Sequence, residues 1–433
     1  MNQPFHITVI GQGYVGLPLS LSFAMNGAAV IGVDANEEIA ADLKRGRTAQ
    51  TEKFNGRTIR EILREESERG MYRVTTDGAS AVRESNVIIL TVGLPVDSSG
   101  APDYSAFESA CAVIGENLRR GSLILIRSTV VPGTTEAYCR PIFERLSGLR
   151  AGEGFYLAYV PERIAEGKAF EEFRKMPTLI GAADEGSARF AETVIRVNST
   201  AEIIHSPSII AVETAKVLEN LQRDANIAIV QEFARFAETA GIDTFEVIRL
   251  ANSHPRVQLL SPGPGVGGYC IPNAFYYLNA KAREFGLELP LLSLARKQNQ
   301  SMPEVIVDKT AALLSAVGKS LEGARVAVIG LAMKDQSPDD RLSPAIGICE
   351  AAIRRGAEVS AYDPNVASAY PFKAGTLKEA CAGADALLVL NTIAPGFDPL
   401  SEADALRENV VVLDTRASVD AARLPKSALY WKI

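Results

Sequence analysis

The sequence predicts an α/β protein in which two Rossmann-like doubly wound domains are joined by a long central helix and a helical middle domain. Three observations predict this fold. The chain opens with a strand, a glycine turn, a helix and a strand, its middle holds a long helical pattern without breaks, and the opening pattern returns near residue 325. We therefore expect domains at residues 1–205, 206–318 and 319–433.

The opening strand, His6 to Ile10, runs into Gly11-Gln-Gly13-Tyr-Val-Gly16 and a helix. In such a turn the first glycine makes the bend, the second lets the backbone approach a pyrophosphate, and the third lets the helix pack on the sheet. Asp34 ends the next strand, where it can bind a ribose 2′-hydroxyl and repel a 2′-phosphate, although a plain turn aspartate is the alternative. The pattern predicts an NAD-binding domain.

Three further apolar runs continue the first sheet, at Val87–Val92, Ser122–Ile126 and Phe155–Val160, with an amphipathic segment at Tyr104–Leu118 between them. Glu162 follows the last of these strands, on the carboxyl edge where open α/β sheets bind their ligands. It is a candidate for acid/base chemistry or for orienting a water molecule, and a surface carboxylate is an equal alternative.

A run from Ser206 to about Ala240 has apolar residues at helical spacing and predicts the central helix. Lys216, Asn220 and Asp224 recur every four residues and so share one face of it. Such a stripe is typical of a solvated surface, but it also suits the polar wall of an active site.

The segment Ser261-Pro-Gly-Pro-Gly-Val-Gly-Gly-Tyr-Cys270 cannot be helical and predicts a rigid loop. Its cysteine therefore lies on an irregular element, and we interpret Cys270 as a nucleophile. The other cysteines are expected to be buried and inert, namely Cys111, Cys139, Cys349 and Cys381. An odd and scattered set of five cysteines favours neither a disulfide framework nor a zinc site.

The second Rossmann-like pattern begins at Arg325 but lacks the glycine fingerprint. Its first turn offers Lys334, Asp340 and Arg341 instead. These charges suit a diphosphate held by side chains, and a solvated loop is the more common alternative.

A net charge of −7 and the absence of basic runs argue against nucleic acid as a partner. No apolar run reaches the length of a membrane helix and the N-terminus does not read as a signal peptide, so we expect no membrane partner and a cytoplasmic protein. The three histidines, His6, His205 and His254, have no convincing partner in sequence, and no metal site is expected.

Together these residues resemble the UDP-glucose/GDP-mannose dehydrogenase family, and most closely its UDP-N-acetylhexosamine branch. The resemblance spans nearly the whole chain. It rests on GQGYVGLPLS at 11–20, RSTVVPGTT at 127–135, VPERIAEGKA at 160–169, ETAKVLENLQRDANIA at 213–228, ANSHPRV at 251–257, SPGPGVGGYCIP at 261–272 and GLAMKDQSPDDRLSP at 330–344.

The resemblance implies two hydride transfers to NAD⁺, with Cys270 forming a thiohemiacetal and then a thioester that water hydrolyses. It implies catalytic roles for Cys270, Lys216, Asn220, Glu162, Asp224 and Thr129. The implied cofactor contacts are Gly11, Gly13, Tyr14, Val15, Gly16, Asp34, Gly93, Ser128, Thr129 and Arg341. The implied UDP-sugar contacts are Glu162, Arg163, Ile164, Glu166, Lys216, Asn220, Arg256, Gly265, Gly267, Gly268 and Lys334. The central helices would form a homodimer or a higher homo-oligomer, in which Arg256 reaches the neighbouring substrate.

The sequence departs from the family pattern beside the nucleophile. The family loop usually reads Gly-Gly-His/Ser-Cys with an aspartate four residues after the cysteine, whereas this chain has Tyr269 and Ala274. A second departure is Ala394-Pro395, where relatives often have a histidine. Two alternatives to the complete oxidation follow, an oxidation arrested after one NADH and a catalytically silent nucleotide-sugar-binding homologue.

Overall fold

The computed structural model of this chain describes residues 5–433, which form two compact units. The first unit runs to Glu219 and includes Tyr276–Glu288, and the second holds Asn220–Phe275 and Leu289–Ile433. Each unit contains a sheet of mainly parallel strands with helices packed on it, which confirms the predicted α/β class. The domain boundaries at 205 and 318 stay a prediction.

The first unit follows the predicted alternation of strands and helices. Its strands are β1 (His6–Ile10), β2 (Ala29–Val33), β3 (Lys53–Phe54), β4 (Arg57–Thr58), β5 (Tyr72–Thr75), β6 (Val87–Leu90), β7 (Leu123–Ile126), β8 (Tyr156–Tyr159), β9 (Thr178–Gly181) and β10 (Ile203–Ser206). Its helices are α1 (Gly16–Met25), α2 (Glu37–Lys44), α3 (Ile59–Glu68), α4 (Gly78–Glu84), α5 (Ser105–Asn117), α6 (Arg140–Ser147), α7 (Ala169–Lys175) and α8 (Glu185–Ile195), with a π-helical turn at Thr135–Cys139.

Eight of these strands form one sheet in the order β10-β9-β8-β7-β6-β1-β2-β5, parallel except for the β8–β9 pair. Every residue of β6 and β7 is buried, which is why these strands read as continuous apolar runs. The chain passes from β1 outward to β2 and β5 and then returns to β6 on the other side of β1. The crevice between the carboxyl ends of β1 and β6 is therefore the topological switch point, where open α/β sheets bind ligands.

Long helices fill the middle of the chain, namely α9 (Ile209–Ala240), α10 (Thr244–Ala251), α11 (Cys270–Glu284) and α12 (Pro290–Ala316). The predicted central helix is confirmed as α9, which Gly241 ends in the left-handed conformation at φ 69°. Among the described residues, none of the helices combines the length and the apolar composition that crossing a bilayer requires.

The second unit contains the repeated Rossmann-like pattern. Its strands and remaining helices are β11 (Arg325–Ile329), α13 (Pro344–Arg354), β12 (Glu358–Tyr362), α14 (Leu377–Cys381), β13 (Ala386–Val389), β14 (Val411–Asp414) and β15 (Leu429–Lys432). The five strands are all parallel in the order β12-β11-β13-β14-β15, with the switch point between β11 and β13. An aspartate occupies the same place in both sheets. Asp363 after β12 accepts the backbone N–H groups of Leu331 and Ala332 after β11, as Asp34 after β2 accepts that of Gln12 after β1.

Candidate functional site

The glycine turn after β1 forms a cradle for a phosphate group. Gly11 has φ 94°, and a Cβ atom on Gly16 would lie 1.7 Å from the carbonyl oxygen of Gly11, so both positions require glycine. A Cβ atom on Gly13 would meet nothing within 4 Å, which leaves this backbone open to a ligand. Thr91 Oγ1 donates to the Gly11 carbonyl at 2.8 Å and ties the turn to the end of β6. The cradle lies at the switch point and at the start of α1, as a pyrophosphate requires.

Asp34 lies beside this turn. Its carboxylate accepts the backbone N–H of Gln12 at 2.9 Å and that of Asn36 at 2.9 Å, so it links the end of β2 to the turn. Each oxygen keeps a lone pair that can accept a ribose hydroxyl. Tyr14 and Val15 are half-buried in the same turn, and Gly93 is exposed after β6. The residues of the first unit thus fit a dinucleotide.

Glu162 is held by three donors. It forms an ion pair with Arg127, and its other oxygen accepts the backbone N–H of Arg163 at 2.8 Å and that of Ile164 at 3.1 Å. The Glu162 side chain is 10% exposed and that of Arg127 is 6% exposed, so Glu162 is not a surface carboxylate. Arg127 is not among the site residues predicted from the sequence, although it follows β7 directly at the same sheet edge. A carboxylate fixed in this way can orient a water molecule.

Other predicted residues of the first unit line the same sheet edge. Ser128 Oγ donates to the Leu90 carbonyl at 3.3 Å, while Thr129 is half-buried and its side chain forms no hydrogen bond within residues 5–433. Arg163 pairs with Glu219 at 2.7 Å, which neutralises its charge. Glu166 is half-buried.

The polar stripe of α9 is buried. Lys216 is 9%, Asn220 8% and Asp224 1% exposed, which excludes the interpretation of this stripe as a solvated surface. Within the described part of the chain, the Lys216 ammonium group has neither a hydrogen bond nor an ion pair. Burying an unpaired cation is costly, so the position is suited to an anionic ligand or a developing negative charge.

Asp224 differs from the other two residues because its partners are internal. Its Oδ1 accepts from Arg296 at 3.0 Å and from the Asn299 amide at 2.8 Å. Burial raises the pKa of Asp224 above its ordinary value, against the lowering effect of Arg296 and Asn299. The arrangement favours a structural role for Asp224 over proton handling, and neither of its two partners was predicted from the sequence.

Cys270 is the exposed cysteine, and the other four are buried. The expectation that it lies on an irregular element is wrong, because it is the first residue of α11, directly after the irregular loop. The side-chain amide of Asn220 donates to its carbonyl oxygen at 3.1 Å. Burial raises the pKa of the Cys349 thiol, and raises that of Cys381 to about 11, which suits inert thiols. Cys270 is thus an exposed residue at the start of a helix, where a substrate can reach it.

The glycines before Cys270 are required by the protein itself. A Cβ atom on Gly267 would lie 2.6 Å from the Leu342 carbonyl oxygen, and one on Gly268 would lie 2.3 Å from the Met333 sulfur. At Gly265 the nearest atom would be the Pro344 Cβ at 3.1 Å. The loop is thus packed against the segment that follows β11, which fixes the position of Cys270. Contacts from these glycines to substrate stay a prediction.

In the charged turn after β11, two of the three predicted side chains bind other residues of the protein. Lys334 is half-buried and has no partner among residues 5–433, so it can bind an anion. Arg341 forms two hydrogen bonds with Asp339, at 2.8 and 2.5 Å, and its guanidinium carbon lies 5.0 Å from the centre of the Tyr269 ring. Asp340 accepts from the Tyr370 hydroxyl at 2.8 Å. Lys334 is therefore the cation of this turn whose charge no described acidic residue neutralises, and a diphosphate would bind to it.

Arg416 is a further cation of the second unit, and it was not predicted from the sequence. It follows β14, donates to the Leu390 carbonyl at 2.9 Å and to Asn391 at 2.7 Å, and lies 3.2 Å from Asp335. A Cβ atom on Gly263 would lie 3.1 Å from its guanidinium group. Burial lowers the pKa of Arg416. Its position directly after a central parallel strand is the sequence signal that could have identified it.

Arg256, which was predicted to reach a neighbouring substrate, is exposed.

No group of three or more His, Cys, Asp or Glu residues within the described ranges has a geometry that could hold a metal ion. His205 pairs with Glu192 at 2.8 Å, and the His254 ring accepts the backbone N–H of Arg256 at 3.3 Å.

Three sequence models of one family match consecutive parts of the chain. These are the NAD binding domain of the UDP-glucose/GDP-mannose dehydrogenase family at residues 5–200, its central domain at 211–301, and its UDP binding domain at 327–421. Together the three matches cover most of the chain, and they occur along it in the order given. The first contains the glycine cradle, the second contains Cys270, and the third contains Lys334.

Individual proteins are similar over comparable lengths. The UDP-N-acetyl-D-mannosamine dehydrogenase of Pyrococcus horikoshii is 36% identical over 383 residues, covering 88% of both chains. The UDP-N-acetyl-D-glucosamine 6-dehydrogenase of Pseudomonas aeruginosa is 32% identical over 84% of this chain and 83% of its own. The solved structure of UDP-D-ManNAc dehydrogenase from P. horikoshii superimposes with a TM-score of 0.90 at 33% identity, covering 99% of this chain and 98% of that one.

Proposed function

The chain belongs to the UDP-glucose/GDP-mannose dehydrogenase family of NAD-dependent oxidoreductases, and we propose that it oxidises the C6 alcohol of a UDP-hexose or UDP-N-acetylhexosamine to the uronic acid. The observation that carries this proposal is Cys270, the exposed cysteine at the start of α11 behind a tightly packed glycine loop. The named activities of the similar proteins support a UDP-N-acetylhexosamine as the sugar.

The proposed reaction oxidises the C6 carbon twice. NAD⁺, when bound at the glycine cradle, accepts a hydride in each of these oxidations. The C6 alcohol first loses a hydride and a proton to give the aldehyde, and the Cys270 sulfur then adds to its carbon to give a thiohemiacetal. Loss of a second hydride and proton gives a thioester, and water releases the carboxylic acid and the free thiol.

The side chains around these steps have distinct proposed roles. Lys216 and Asn220 stabilise negative charge on the reacting oxygen, which is consistent with the buried and unpaired ammonium group of Lys216. Glu162 and Thr129 position the hydrolytic water, for which the three donors on Glu162 provide a fixed carboxylate. Lys334 binds the nucleotide diphosphate.

NADH release by the purified protein tests the proposal. The panel is UDP-glucose, UDP-GlcNAc, UDP-ManNAc, UDP-galactose and GDP-mannose, and we expect at least one UDP-sugar to yield NADH and a uronic acid identified by mass. Absence of NADH with every sugar would contradict the proposal and favour a silent nucleotide-sugar-binding homologue.

One feature supports a different outcome. Position 274, where the family usually has an aspartate, is a fully buried alanine, so the first turns of α11 lack a carboxylate. Failure of the second oxidation would then release the aldehyde after one NADH per sugar, whereas slow hydrolysis of the thioester would leave the enzyme acylated after two NADH per active site. Counting NADH per sugar and per active site, with the end product identified by mass, separates these outcomes from complete oxidation.

Asp34→Ala is expected to raise the KM for NAD⁺ by about tenfold to a hundredfold, since hydrogen bonds to a charged group contribute about 1.5–3 kcal/mol. Loss of the negative charge should also let the variant use NADP⁺ more readily than the wild type. Initial rates at varied NAD⁺ and NADP⁺ measure both effects. Asp42→Ala, on the exposed side of α2, is the matched control. An unchanged NAD⁺ KM would remove Asp34 from the ribose site.

We also propose that α9 forms a homodimer interface. Its exposed apolar residues include Ile229, Phe233 and Phe236, the last of which is 70% exposed, and their spacing puts them on one face of the helix. Phe236→Asp should convert the oligomer to monomers by light scattering after size exclusion. Ile39→Asp, a similar change at an exposed residue of α2, should leave the mass unchanged. A wild-type protein that is monomeric at all concentrations would contradict the interface.

A further inference from the structure

The first turn of α11 contains a buried amide. Asn273 lies three residues after Cys270 and is 7% exposed. Its backbone N–H donates to the Tyr269 carbonyl at 2.9 Å, but its side chain has no hydrogen-bond partner within residues 5–433. Neither amide atom of Asn273 is among the fully buried side-chain atoms without a partner in residues 5–433, so the amide group remains accessible from outside although most of the residue is buried. An unpaired amide at this position is therefore available to a ligand.

Helix geometry directs this amide towards the nucleophile. Residues three apart on a helix share one face, and the Cα–Cβ bond of a helical residue tilts towards the N-terminus of the helix. Asn273 thus leans towards the turn that Cys270 begins. The backbone N–H groups of Cys270 and Ile271 also have no acceptor within the described residues, and Pro272 has no N–H at all.

The neighbouring side chains leave Asn273 as the polar group of this turn. Ile271, Pro272, Ala274 and Phe275 cannot donate a side-chain hydrogen bond. Position 274, which is usually acidic in the family, is a fully buried alanine here and therefore carries no charge. Any side-chain hydrogen bond from this turn to the carbon-bound oxygen of the substrate must come from Asn273.

We propose that Asn273 is a catalytic residue whose side-chain amide donates a hydrogen bond to the oxygen on the carbon that is bonded to Cys270. The proposal rests on the proposed function. The amide neither accepts nor releases a proton. When water adds to the thioester carbon, the carbonyl oxygen gains negative charge, the C–S bond then breaks, sulfur leaves as the thiolate, and the proton of water passes to solvent. A fixed donor stabilises that charge as it develops.

Three variants test this role. Asn273→Ala removes the donor, Asn273→Asp keeps the size but offers only an acceptor when ionised, and Asn279→Ala removes a half-buried amide farther along α11 as the matched control. Thermal unfolding establishes that each variant is folded. The measured quantities are kcat, the KM for the UDP-sugar, and the fraction of enzyme carrying a covalent adduct during turnover, determined by intact-protein mass.

We expect Asn273→Ala to lower kcat by about a hundredfold with a KM within about threefold of the wild type, the size of effect known for one lost oxyanion donor. The adduct on Cys270 should accumulate, Asn273→Asp should be equally slow at neutral pH, and Asn279→Ala should resemble the wild type. A folded Asn273→Ala with kcat within twofold of the wild type, or an Asn273→Asp that is fully active, would overturn the proposal. A wild type that releases no NADH would overturn the proposed function itself, which distinguishes the two failures.

Discussion

Replacing Cys270 by serine is expected to lower kcat for UDP-sugar oxidation by about a thousandfold or more, the scale at which a lost nucleophile acts. A serine hydroxyl is a much weaker nucleophile than a thiolate near neutral pH, so the covalent adduct forms slowly and the second hydride transfer lacks its substrate. Steady-state NADH release measures the loss. Intact-protein mass should show no sugar adduct on the variant.

Cys381→Ala is the matched control for this change. Cys381 is buried in α14 with a raised pKa, and nothing in the proposed reaction involves it. Its variant should retain the wild-type kcat within about twofold, because the substitution removes a single buried sulfur atom. A Cys270→Ser variant that is as active as this control would exclude covalent catalysis at Cys270.

Asp224→Ala is expected to lower the free energy of unfolding by about 3–5 kcal/mol, the cost of removing one partner of a buried ion pair. Arg296 is 2% exposed, and the carboxylate of Asp224 is its buried acidic partner at 3.0 Å. The Asn299 amide would also lose the carboxylate as an acceptor and keep only the backbone carbonyl of residue 224. Urea titration followed by circular dichroism measures the change.

Two comparisons make the result on Asp224 specific. Glu171→Ala removes an exposed ion pair with Lys175 and should cost less than about 1 kcal/mol. The double variant Asp224→Leu with Arg296→Met removes both charges and should recover much of the stability that the single variant loses. Equal stability of Asp224→Ala and the wild type would show that the pair does not stabilise the fold.

The sequence predicted the elements that local patterns determine. Parallel strands buried on both faces, such as β6 and β7, are continuous apolar runs, and α9 lacks any residue that breaks a helix. The glycine cradle was also predictable, because Gly11 and Gly16 occupy positions where a Cβ atom would collide with backbone or require a strained conformation.

Contacts between distant residues were not predictable in the same way. Arg127 and Glu162 are 35 positions apart, and Asp224 and Arg296 are 72 positions apart, so no helical or strand periodicity relates them. The sequence placed Asp224 on the face of Lys216 and Asn220, which is geometrically right. Only the fold reveals that Arg296 and Asn299 bind its carboxylate.

The role of the loop glycines also depends on tertiary packing. From the sequence, Gly267 and Gly268 indicated close approach of the backbone to some partner. In the structure that partner is the segment carrying Met333 and Leu342. A glycine pattern indicates that another group approaches the backbone closely, but it does not identify that group. Burial of Asn273 was likewise invisible in the sequence.

The number of NADH molecules released per molecule of sugar product tests the central claim most directly. The assay combines limiting UDP-N-acetylhexosamine with excess NAD⁺ and follows absorbance to completion, with the product identified by mass. We expect two NADH for each uronic acid, since the alcohol must lose two hydrides before water releases the acid. A ratio of one with the aldehyde as the end point would contradict complete oxidation through Cys270, as would two NADH per active site with the acylated enzyme as the end point.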